Sequence, residues 1–323
     1  MIKLVNVTKR YQDILALKNF NLEIPEGIIL VLLGPSGCGK STVIRLINRL
    51  IQPTSGEIYI NNKNISQMEF SKLRRGIGYA IQSTGLFPHY NVYENIAVVP
   101  RLLKWKKADI DLRVDDLLDL VGLNRNYKNK LPAELSGGEG QRVGVARALA
   151  ADPAILLMDE PFGSLDPLNR ERLQKEFYRI QKKLKKTVLF VTHDVEEAIR
   201  LADKIAIMRP GEIVSFGSPA DFIAEDKEEY IKEFLGSEYV LKLLSRFMVK
   251  DVINQRSTIV KRHIPETHHF RINKESAISN ALSMMISKGV RSLVVTDKLE
   301  KIGLIHFEDI LMNVFNGEKN EKG

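Results

Sequence analysis

The stretch GIILVLLGPSGCGKST, from Gly27 to Thr42, joins an apolar run to a glycine-rich loop that ends in lysine, serine and threonine. Its last nine residues match the pattern G-x-x-x-x-G-K-[ST], and the helical pattern TVIRLINRLI overlaps their end. Glycines in such a loop let backbone N–H groups turn toward phosphate oxygens, and the start of the following helix adds its positive end. The sequence therefore predicts a phosphate-binding loop between a buried strand and a helix.

The predicted loop is suited to a nucleotide with Mg²⁺. Lys40 is expected to reach the outer phosphates, and the hydroxyl of Ser41 is expected to bind the metal ion. Cys38 fills a free position of the pattern, and we assign it no redox role. The predicted nucleotide-binding residues of this loop are Gly34, Pro35, Ser36, Gly37, Cys38, Gly39, Lys40, Ser41 and Thr42.

Two further runs are apolar without alternation, AILLMDE at Ala154–Glu160 and TVLFVTH at Thr187–His193. Strands covered on both faces in a parallel sheet have this pattern, and such sheets bind ligands at the carboxyl ends of their strands. Asp159 suits a metal ligand and Glu160 suits the orientation of a water, as phosphoryl transfer requires. His193 lies at the end of a third strand. The sequence therefore predicts one site to which residues at the ends of three strands contribute.

Composition limits the class of protein. A chain of 323 residues is longer than a single hydrophobic core usually accommodates, so a large domain and a smaller one are expected. The apolar runs are shorter than the roughly 20 residues of a membrane-spanning helix. A single cysteine excludes an internal disulfide, and the N-terminus lacks a signal-peptide pattern, so a cytoplasmic location is expected. The net charge of +8 would suit a nucleic-acid or acidic-surface partner, but the basic residues are spread along the chain, so no nucleic-acid partner is expected.

The stretch LSGGEGQR, Leu135–Arg142, attracts anions although no lysine lies in it. Ser136 followed three residues later by Glu139 is a capping box, which predicts a helix that begins at Gly137. Free N–H groups at that helix start favour an anion. Gly140 is expected to soften the first turn, because glycine in a helix costs about 1 kcal/mol relative to alanine.

In this order the motifs resemble the ATP-binding-cassette (ABC) ATPases, a P-loop α/β fold with a helical subdomain, over roughly residues 1–236. The resemblance adds Gln82 in YAIQSTG, the loop GSLD that ends at Asp166, and VTHD around His193. It implies that Tyr11 stacks on adenine, that Gln82 contacts Mg²⁺ and the catalytic water, and that His193 contacts the γ-phosphate. Asp166 would communicate across a dimer interface. Two subunits would pack head to tail, so that the signature of one covers the nucleotide of the other. The implied signature residues are Ser136, Gly137, Gly138 and Glu139.

The segments Arg74–Pro100 and Ala146–Pro167 resemble importers of quaternary ammonium solutes such as glycine betaine, carnitine and choline. The implied ligands are ATP and Mg²⁺. The implied partners are a second copy of the chain, transmembrane permease subunits and an extracytoplasmic substrate-binding protein, with the chain at the cytoplasmic face of the membrane. Two alternatives stay open. One is the motor of an amino-acid importer, and the other is a cassette protein acting on nucleic acid or ribosomes.

Beyond Gly236 we predict a linker over 237–246, a small α+β domain over 247–315 and a polar tail over 316–323. Helical spacing places one apolar face on Ile278, Ala281, Leu282, Met285 and Ile286, with Gly289 ending the helix. The following residues read as strand, turn, strand and helix. This unit resembles a single cystathionine-β-synthase (CBS) module, which would pair with that of a second subunit and could regulate transport. Asp309 stands at the ribose-contacting position of that module, and His306 stands where threonine is common. A metal site at His263, His268 and His269 is the weaker interpretation.

Overall fold

The computed structural model describes residues 1–81, 85–163, 165–222, 228–236, 239, 244–245, 247–253, 270–297 and 300–310. Gln82 and the three histidines at 263, 268 and 269 lie outside the described residues. The chain divides into two compact units, Met1–Gly217 and Ser218–Gly323. The boundary at Gly236 and the linker over 237–246 stay predictions. Within the described residues, no helix is both long and apolar enough to cross a membrane.

The first unit contains the three predicted strands and the helices predicted after the phosphate-binding loop and at the signature, together with further strands and helices. Its strands are β1 (Ile2–Tyr11), β2 (Ile14–Ile24), β3 (Ile29–Leu33), β4 (Ser55–Ile60), β5 (Lys63–Asn64), β6 (Ile77–Ala80), β7 (Ile155–Asp159), β8 (Thr187–Thr192), β9 (Lys204–Arg209) and β10 (Glu212–Gly217). Its α-helices are α1 (Lys40–Ile47), α2 (Phe70–Arg75), α3 (Val92–Leu102), α4 (Lys107–Leu120), α5 (Gly137–Leu149), α6 (Pro167–Leu184) and α7 (Val195–Leu201).

A six-stranded sheet with the order β10-β9-β3-β8-β7-β6 forms the centre of this unit. Its strands run parallel except β10, which is antiparallel to β9. Every residue of β3, β7 and β8 is buried, which confirms the three predicted strands. Because these strands are neighbours and parallel, the segments that follow them emerge side by side at one edge of the sheet.

A second sheet, with the order β2-β1-β4-β5, is antiparallel. The hydrophobic core contains side chains of both sheets and of α1, among them Leu4, Leu30 and Ile44. Full burial of each such side chain stabilises the fold by about 1.5–3 kcal/mol. The loop between β3 and α1 is therefore anchored at both ends by buried elements.

The second unit contains a small sheet with the order β11-β12-β13. The elements of this unit are α8 (Glu229–Leu235), α9 (Val249–Ile253), β11 (Arg271–Asn273), α10 (Ile278–Lys288), β12 (Ser292–Asp297) and β13 (Glu300–His306). Strand β11 is parallel to β12 and β13 is antiparallel to it, while residues 307–310 are helical. The two predicted strands and the helix are therefore confirmed in the predicted order, whereas the predicted turn, at residues 298–299, lies outside the described residues.

One predicted core residue of α10 is wrong. Ile278, Ala281, Leu282 and Met285 are buried as expected, and Gly289 ends the helix in the left-handed conformation. Ile286, however, is 75% exposed. At 3.6 residues per turn it lies about 80° around the helix from Ile278, at the margin of the apolar stripe. This unit buries a stripe that is narrower than the sequence spacing predicts.

Candidate nucleotide-binding and hydrolysis site

The loop after β3 is folded around the amine of Lys40. The Nζ atom donates hydrogen bonds to the carbonyl oxygens of Gly34, at 2.6 Å, and Pro35, at 2.8 Å, and the residue is only 6% exposed. A buried ammonium needs such acceptors to offset the loss of hydration. Lys40 therefore holds the loop in an arch and presents a positive charge inside it.

Two residues of the loop are packed against the rest of the unit. Gly39 has a φ of +114°, and a Cβ atom there would lie 2.8 Å from the carbonyl oxygen of Ala16. The thiol of Cys38 is buried, and burial raises its pKa, while its carbonyl oxygen accepts a hydrogen bond of 3.0 Å from the N–H of Gly211. Ser36 and Gly37, by contrast, lie on the exposed rim.

The helix that follows the loop suits a polyphosphate. Helix α1 begins at Lys40 without a side-chain cap, and its first turn, which includes Ser41 and Thr42, contains no acidic residue. Its first N–H groups lack intrahelical partners, and the helix dipole makes this end positive. The arch around Lys40 and the start of α1 therefore fit the phosphates of a nucleotide.

Ser41 and Asp159 meet between α1 and the end of β7. The Ser41 Oγ atom donates a hydrogen bond of 3.0 Å to Asp159 Oδ1. Burial raises the pKa of the Asp159 carboxyl, and this hydrogen bond opposes the rise. In the described part of the chain no three His, Cys, Asp or Glu side chains gather at metal-binding distance. The hydroxyl and carboxylate oxygens nevertheless fit Mg²⁺, which commonly takes one or two carboxylates and completes its shell with phosphates and waters.

Glu160 is held in an unusual backbone conformation. Its φ is +47°, a value that residues other than glycine rarely adopt. Its N–H donates a hydrogen bond of 3.0 Å to Val191 O on β8. Its carbonyl oxygen accepts from the N–H of Gly163, at 3.2 Å, and from the Nε2 atom of Gln141, at 3.0 Å. The backbone of Glu160 is thus fixed from three directions, and its side chain is directed toward the residue that follows β8.

That residue is His193, and the two predicted catalytic groups are in contact. The Nδ1 atom of His193 lies 2.9 Å from Glu160 Oε1. The carboxylate side chain is 16% exposed, whereas the imidazole side chain is 60% exposed. The arrangement places this carboxylate–imidazole pair, of which the imidazole is open to solvent, beside the Ser41–Asp159 pair at the same edge of the sheet.

The signature stretch begins a helix as predicted. Ser136 caps α5, because its Oγ accepts from the N–H of Glu139 at 3.3 Å while its own N–H donates to Glu139 Oε2 at 2.8 Å. The hydroxyl of Tyr127 donates to the other carboxylate oxygen at 2.8 Å. These bonds, led by that from the Ser136 backbone, lower the pKa of Glu139. The amides of Gly137 and Gly138 remain at the positive end of the helix.

The remaining predicted site residues lie apart from these pairs. Tyr11 ends β1 and is 39% exposed, on the hairpin whose second strand approaches the loop at Ala16. Asp166 caps α6, where its carboxylate accepts from the N–H of Asn169 at 3.1 Å and from the side-chain amide of that residue at 2.7 Å. These bonds, led by that of the side-chain amide, lower the pKa of Asp166.

Among the described residues, no hydrogen bond or ion pair joins Ser136–Glu139 to the loop at Gly34–Thr42. The structure therefore brings together Lys40 with its loop, Ser41 with Asp159, and Glu160 with His193. Within one chain the signature stretch is not bonded to the phosphate-binding loop.

Comparison with known proteins identifies the family. The family model described as ABC transporter matches residues 17–163. The osmoprotectant import ATP-binding protein OsmV of Salmonella typhimurium is 47% identical over 303 residues, which cover 92% of this chain and 76% of OsmV. The glycine betaine uptake system ATP-binding protein YehX of Escherichia coli is 43% identical over 314 residues, which cover 97% of this chain and 99% of YehX.

The chain belongs to the ABC transporter ATP-binding proteins. A solved structure, the dimeric post-hydrolysis state of the ATP-binding cassette MJ0796 with ADP and Pi, matches with a TM-score of 0.64 and 36% identity. The match covers 68% of this chain and 98% of that one. The predicted fold, a P-loop ABC cassette, is confirmed, and the chain is a nucleotide-binding ATPase coupled to transport.

Three residues of this ABC ATPase support the site without having been singled out from sequence. Gln141 bonds the Glu160 carbonyl, Arg170 Nη2 donates to the carbonyl oxygens of Gly163 and Leu165, and buried Glu197 accepts from Thr192 beside His193. The spacing of Gln141, three residues after Gly138, indicates that both lie on one face of α5, but it does not identify Glu160 as the partner of Gln141. The partners of Arg170 and Glu197 depend on contacts between elements that spacing does not reveal.

Proposed function

We propose that this ABC ATPase powers an importer of quaternary ammonium solutes of the glycine betaine, carnitine or choline kind. The observation that carries the proposal is that three relatives named for choline, for glycine betaine, and for glycine betaine, carnitine and choline align along almost the whole chain, covering 92%, 97% and 92% of it. The solute itself would be bound by partner proteins, so this chain would supply only the energy of ATP hydrolysis.

In the proposed reaction Lys40 and the start of α1 bind the phosphates of ATP, and Tyr11 stacks on the adenine. Ser41 and Asp159 would hold Mg²⁺, together with Gln82 by family resemblance. The ion, when bound, would neutralise charge on the phosphates. The carboxylate of Glu160 would accept a hydrogen bond from the attacking water and orient it. His193 would fix that carboxylate through Nδ1 and would face the γ-phosphate with its other ring nitrogen.

The proposed working form is a dimer of two copies of the chain. The amides at the start of α5 suit an anion, yet within one chain they are not bonded to the phosphate-binding loop. Ser136, Gly137, Gly138 and Glu139 of one subunit would therefore cover the nucleotide of the other, and Asp166 would lie at the interface. The dimeric solved relative supports this assembly, because it shares the cassette fold.

The proposed partners are transmembrane permease subunits and an extracytoplasmic substrate-binding protein, with this chain at the cytoplasmic face of the membrane. Names of the relatives as import-system proteins support this placement. The basic charge does not indicate a nucleic-acid partner.

The test is co-purification from detergent extracts with the permease, followed by uptake assays after deletion of the gene. Loss of betaine, carnitine or choline uptake is expected. Loss of amino-acid uptake instead, or recovery with nucleic acid and no permease, would contradict the proposal.

For the second unit we propose a CBS-like regulatory module. Its described elements, β11, α10, β12 and β13, follow the predicted order, and the N–H of His306 donates to Asp309 Oδ2 at 3.3 Å. The test compares transport by the full chain and by a chain that ends after Gly236 as ionic strength is varied. A response that survives truncation would show that this unit does not sense ionic strength.

A further inference from the structure

Gln141 links the signature helix to the backbone of the catalytic glutamate within one subunit. Its side chain is 3% exposed, and its Nε2 atom donates to Glu160 O at 3.0 Å. Burial of an amide without a hydrogen-bond partner destabilises the fold, so loss of this hydrogen bond would be unfavourable. Since Glu160 adopts a φ of +47°, which persists only where the surroundings hold it, the bond from Gln141 also helps to fix the position of the carboxylate.

A second contact joins the same two segments. A Cβ atom at Gly138 would lie 3.1 Å from Leu165 Cδ2, so the leucine packs directly on the backbone of α5. Leu165 is 5% exposed, and its N–H donates to Phe162 O at 3.2 Å, within the turn that Gly163 N–H closes on Glu160 O. Arg170 fixes this turn from the other side through the carbonyl oxygens of Gly163 and Leu165, at 3.3 and 3.0 Å.

These contacts have a consequence in the dimer. Residues three apart on a helix share a face, so Gly138 and Gln141 present one surface of α5 to Leu165 and to the turn at Glu160. That turn serves the nucleotide of its own subunit, whereas the signature at the start of α5 would serve the nucleotide of the partner. A displacement of the turn at one site would therefore displace the signature at the other.

We infer that Gln141 is a positioning residue that couples the two nucleotide sites, by tying the Glu160 turn of a subunit to the signature helix of the same subunit. The inference rests on the proposed dimer. It therefore predicts two effects of removing the Gln141 amide. Turnover should change at the site built on Glu160 of the same subunit, and also at the partner's site, which the signature of the altered subunit covers.

Mixed dimers of the full chain separate these two effects. One subunit carries Glu160→Gln and is silent at its own site, so turnover reports on the site that uses the other Glu160 and the signature of the silent subunit. Gln141→Met keeps the side-chain length and removes the donor. Placed in the silent subunit, it leaves the working Glu160 and its own Gln141 unchanged. We expect turnover to fall by about five-fold or more in this arrangement.

Gln181→Met in the silent subunit is the matched control. Gln181 is also buried, at 1% exposure, and its amide likewise donates to backbone carbonyls, those of Gly27 and Lys186. We expect this control to leave turnover at the working site unchanged. If Gln141→Met reduces turnover only when it is placed beside the working Glu160, the role is local and the inference is overturned, while the proposed dimer stands. If ATP induces no mixed dimer at all, the proposed dimer fails and the coupling fails with it.

Homodimers give a second measure that does not depend on the mixed species. For Gln141→Met in both subunits, the Hill coefficient of ATP hydrolysis is expected to fall from about 2 toward 1, since coupling between two sites is lost. Affinity for a fluorescent ATP analogue at the phosphate-binding loop should not change, because residues 34–42 are untouched. If the wild type hydrolyses ATP cooperatively and the variant has the same Hill coefficient, the inference is overturned.

Discussion

The imidazole of His193 and the carboxylate of Glu160 are in hydrogen-bonding contact, with 2.9 Å between Nδ1 and Oε1. The two residues follow neighbouring parallel strands, and Glu160 N–H is itself bonded to β8 through Val191 O. The pair is therefore positioned by the sheet and not by a loop. Only the imidazole is largely open to solvent.

Glu160→Gln is expected to abolish turnover while ATP still binds. The amide keeps the size of the side chain but is a poor acceptor for the water's proton, and general-base contributions are typically 10²–10⁴-fold, so a loss of roughly that size is expected. Phosphate release measures turnover, and light scattering with ATP measures dimer formation. Glu176→Gln, at a 41% exposed side chain on α6, is the control and should hydrolyse normally. Normal hydrolysis by Glu160→Gln would mean that another group orients the water.

Gly39→Ala is expected to disrupt the phosphate-binding loop. The added Cβ would lie 2.8 Å from Ala16 O and 2.9 Å from Leu17 Cδ2, closer than real Cβ contacts, and φ is +114°. We expect the free energy of unfolding to fall by about 2–3 kcal/mol and nucleotide affinity to fall with it. Gly37→Ala, where φ is +80° but no atom lies within 4 Å, should cost only about 1 kcal/mol. Urea unfolding and nucleotide titration measure both, and equal losses would show that crowding at Gly39 is unimportant.

Ser41→Ala is expected to raise the requirement for Mg²⁺. The hydroxyl that bonds Asp159 at 3.0 Å is lost, and with it one proposed metal ligand. The Mg²⁺ concentration for half-maximal ATPase activity should rise by roughly 10–100-fold. Nucleotide binding in EDTA should be unaffected. Ser41→Thr retains a hydroxyl and should restore much of the response, so an identical Mg²⁺ dependence in all three proteins would exclude this ligand.

Glu197→Gln is expected to change how stability depends on pH. Burial raises the pKa of this carboxyl, with Asp194 raising it further and Thr192, Arg170 and Gln174 opposing the rise. The folded state therefore binds the proton more tightly than the unfolded state. The wild type should lose stability as pH rises from the ordinary glutamate pKa through the raised one, and should keep that loss above it.

The glutamine variant lacks this titration, so its stability relative to the wild type should increase across the same pH window. Urea unfolding at several values between about pH 4 and 8 measures the difference. Glu196→Gln is the control, because Glu196 is the neighbouring residue and its side chain is 53% exposed. Parallel stability curves for the wild type and Glu197→Gln would contradict the prediction.

The sequence was most informative where chemistry and position coincide. Asp159 and Glu160 end one apolar run, and Lys40 ends the glycine-rich loop that follows another; burial of such a run on both faces leaves few alternatives to a parallel strand. The capping box at Ser136 is local, so it too could be predicted. The link from Gln141 to Glu160 could not, because sequence does not show which polar residue of a helix is buried or what it meets. The exposed Ile286 shows the same limit for apolar residues.

Strand β3 has a consequence for hydrogen exchange. It pairs with strands on both sides, and its five residues have no measurable exposure. Its amides should therefore exchange with deuterium only when the whole first unit unfolds, whereas those at the solvent-facing start of α5 should exchange through smaller openings. The phosphate-binding loop would then rest on the slowest-exchanging part of the unit, and the segment proposed to meet a partner subunit would lie among the faster ones.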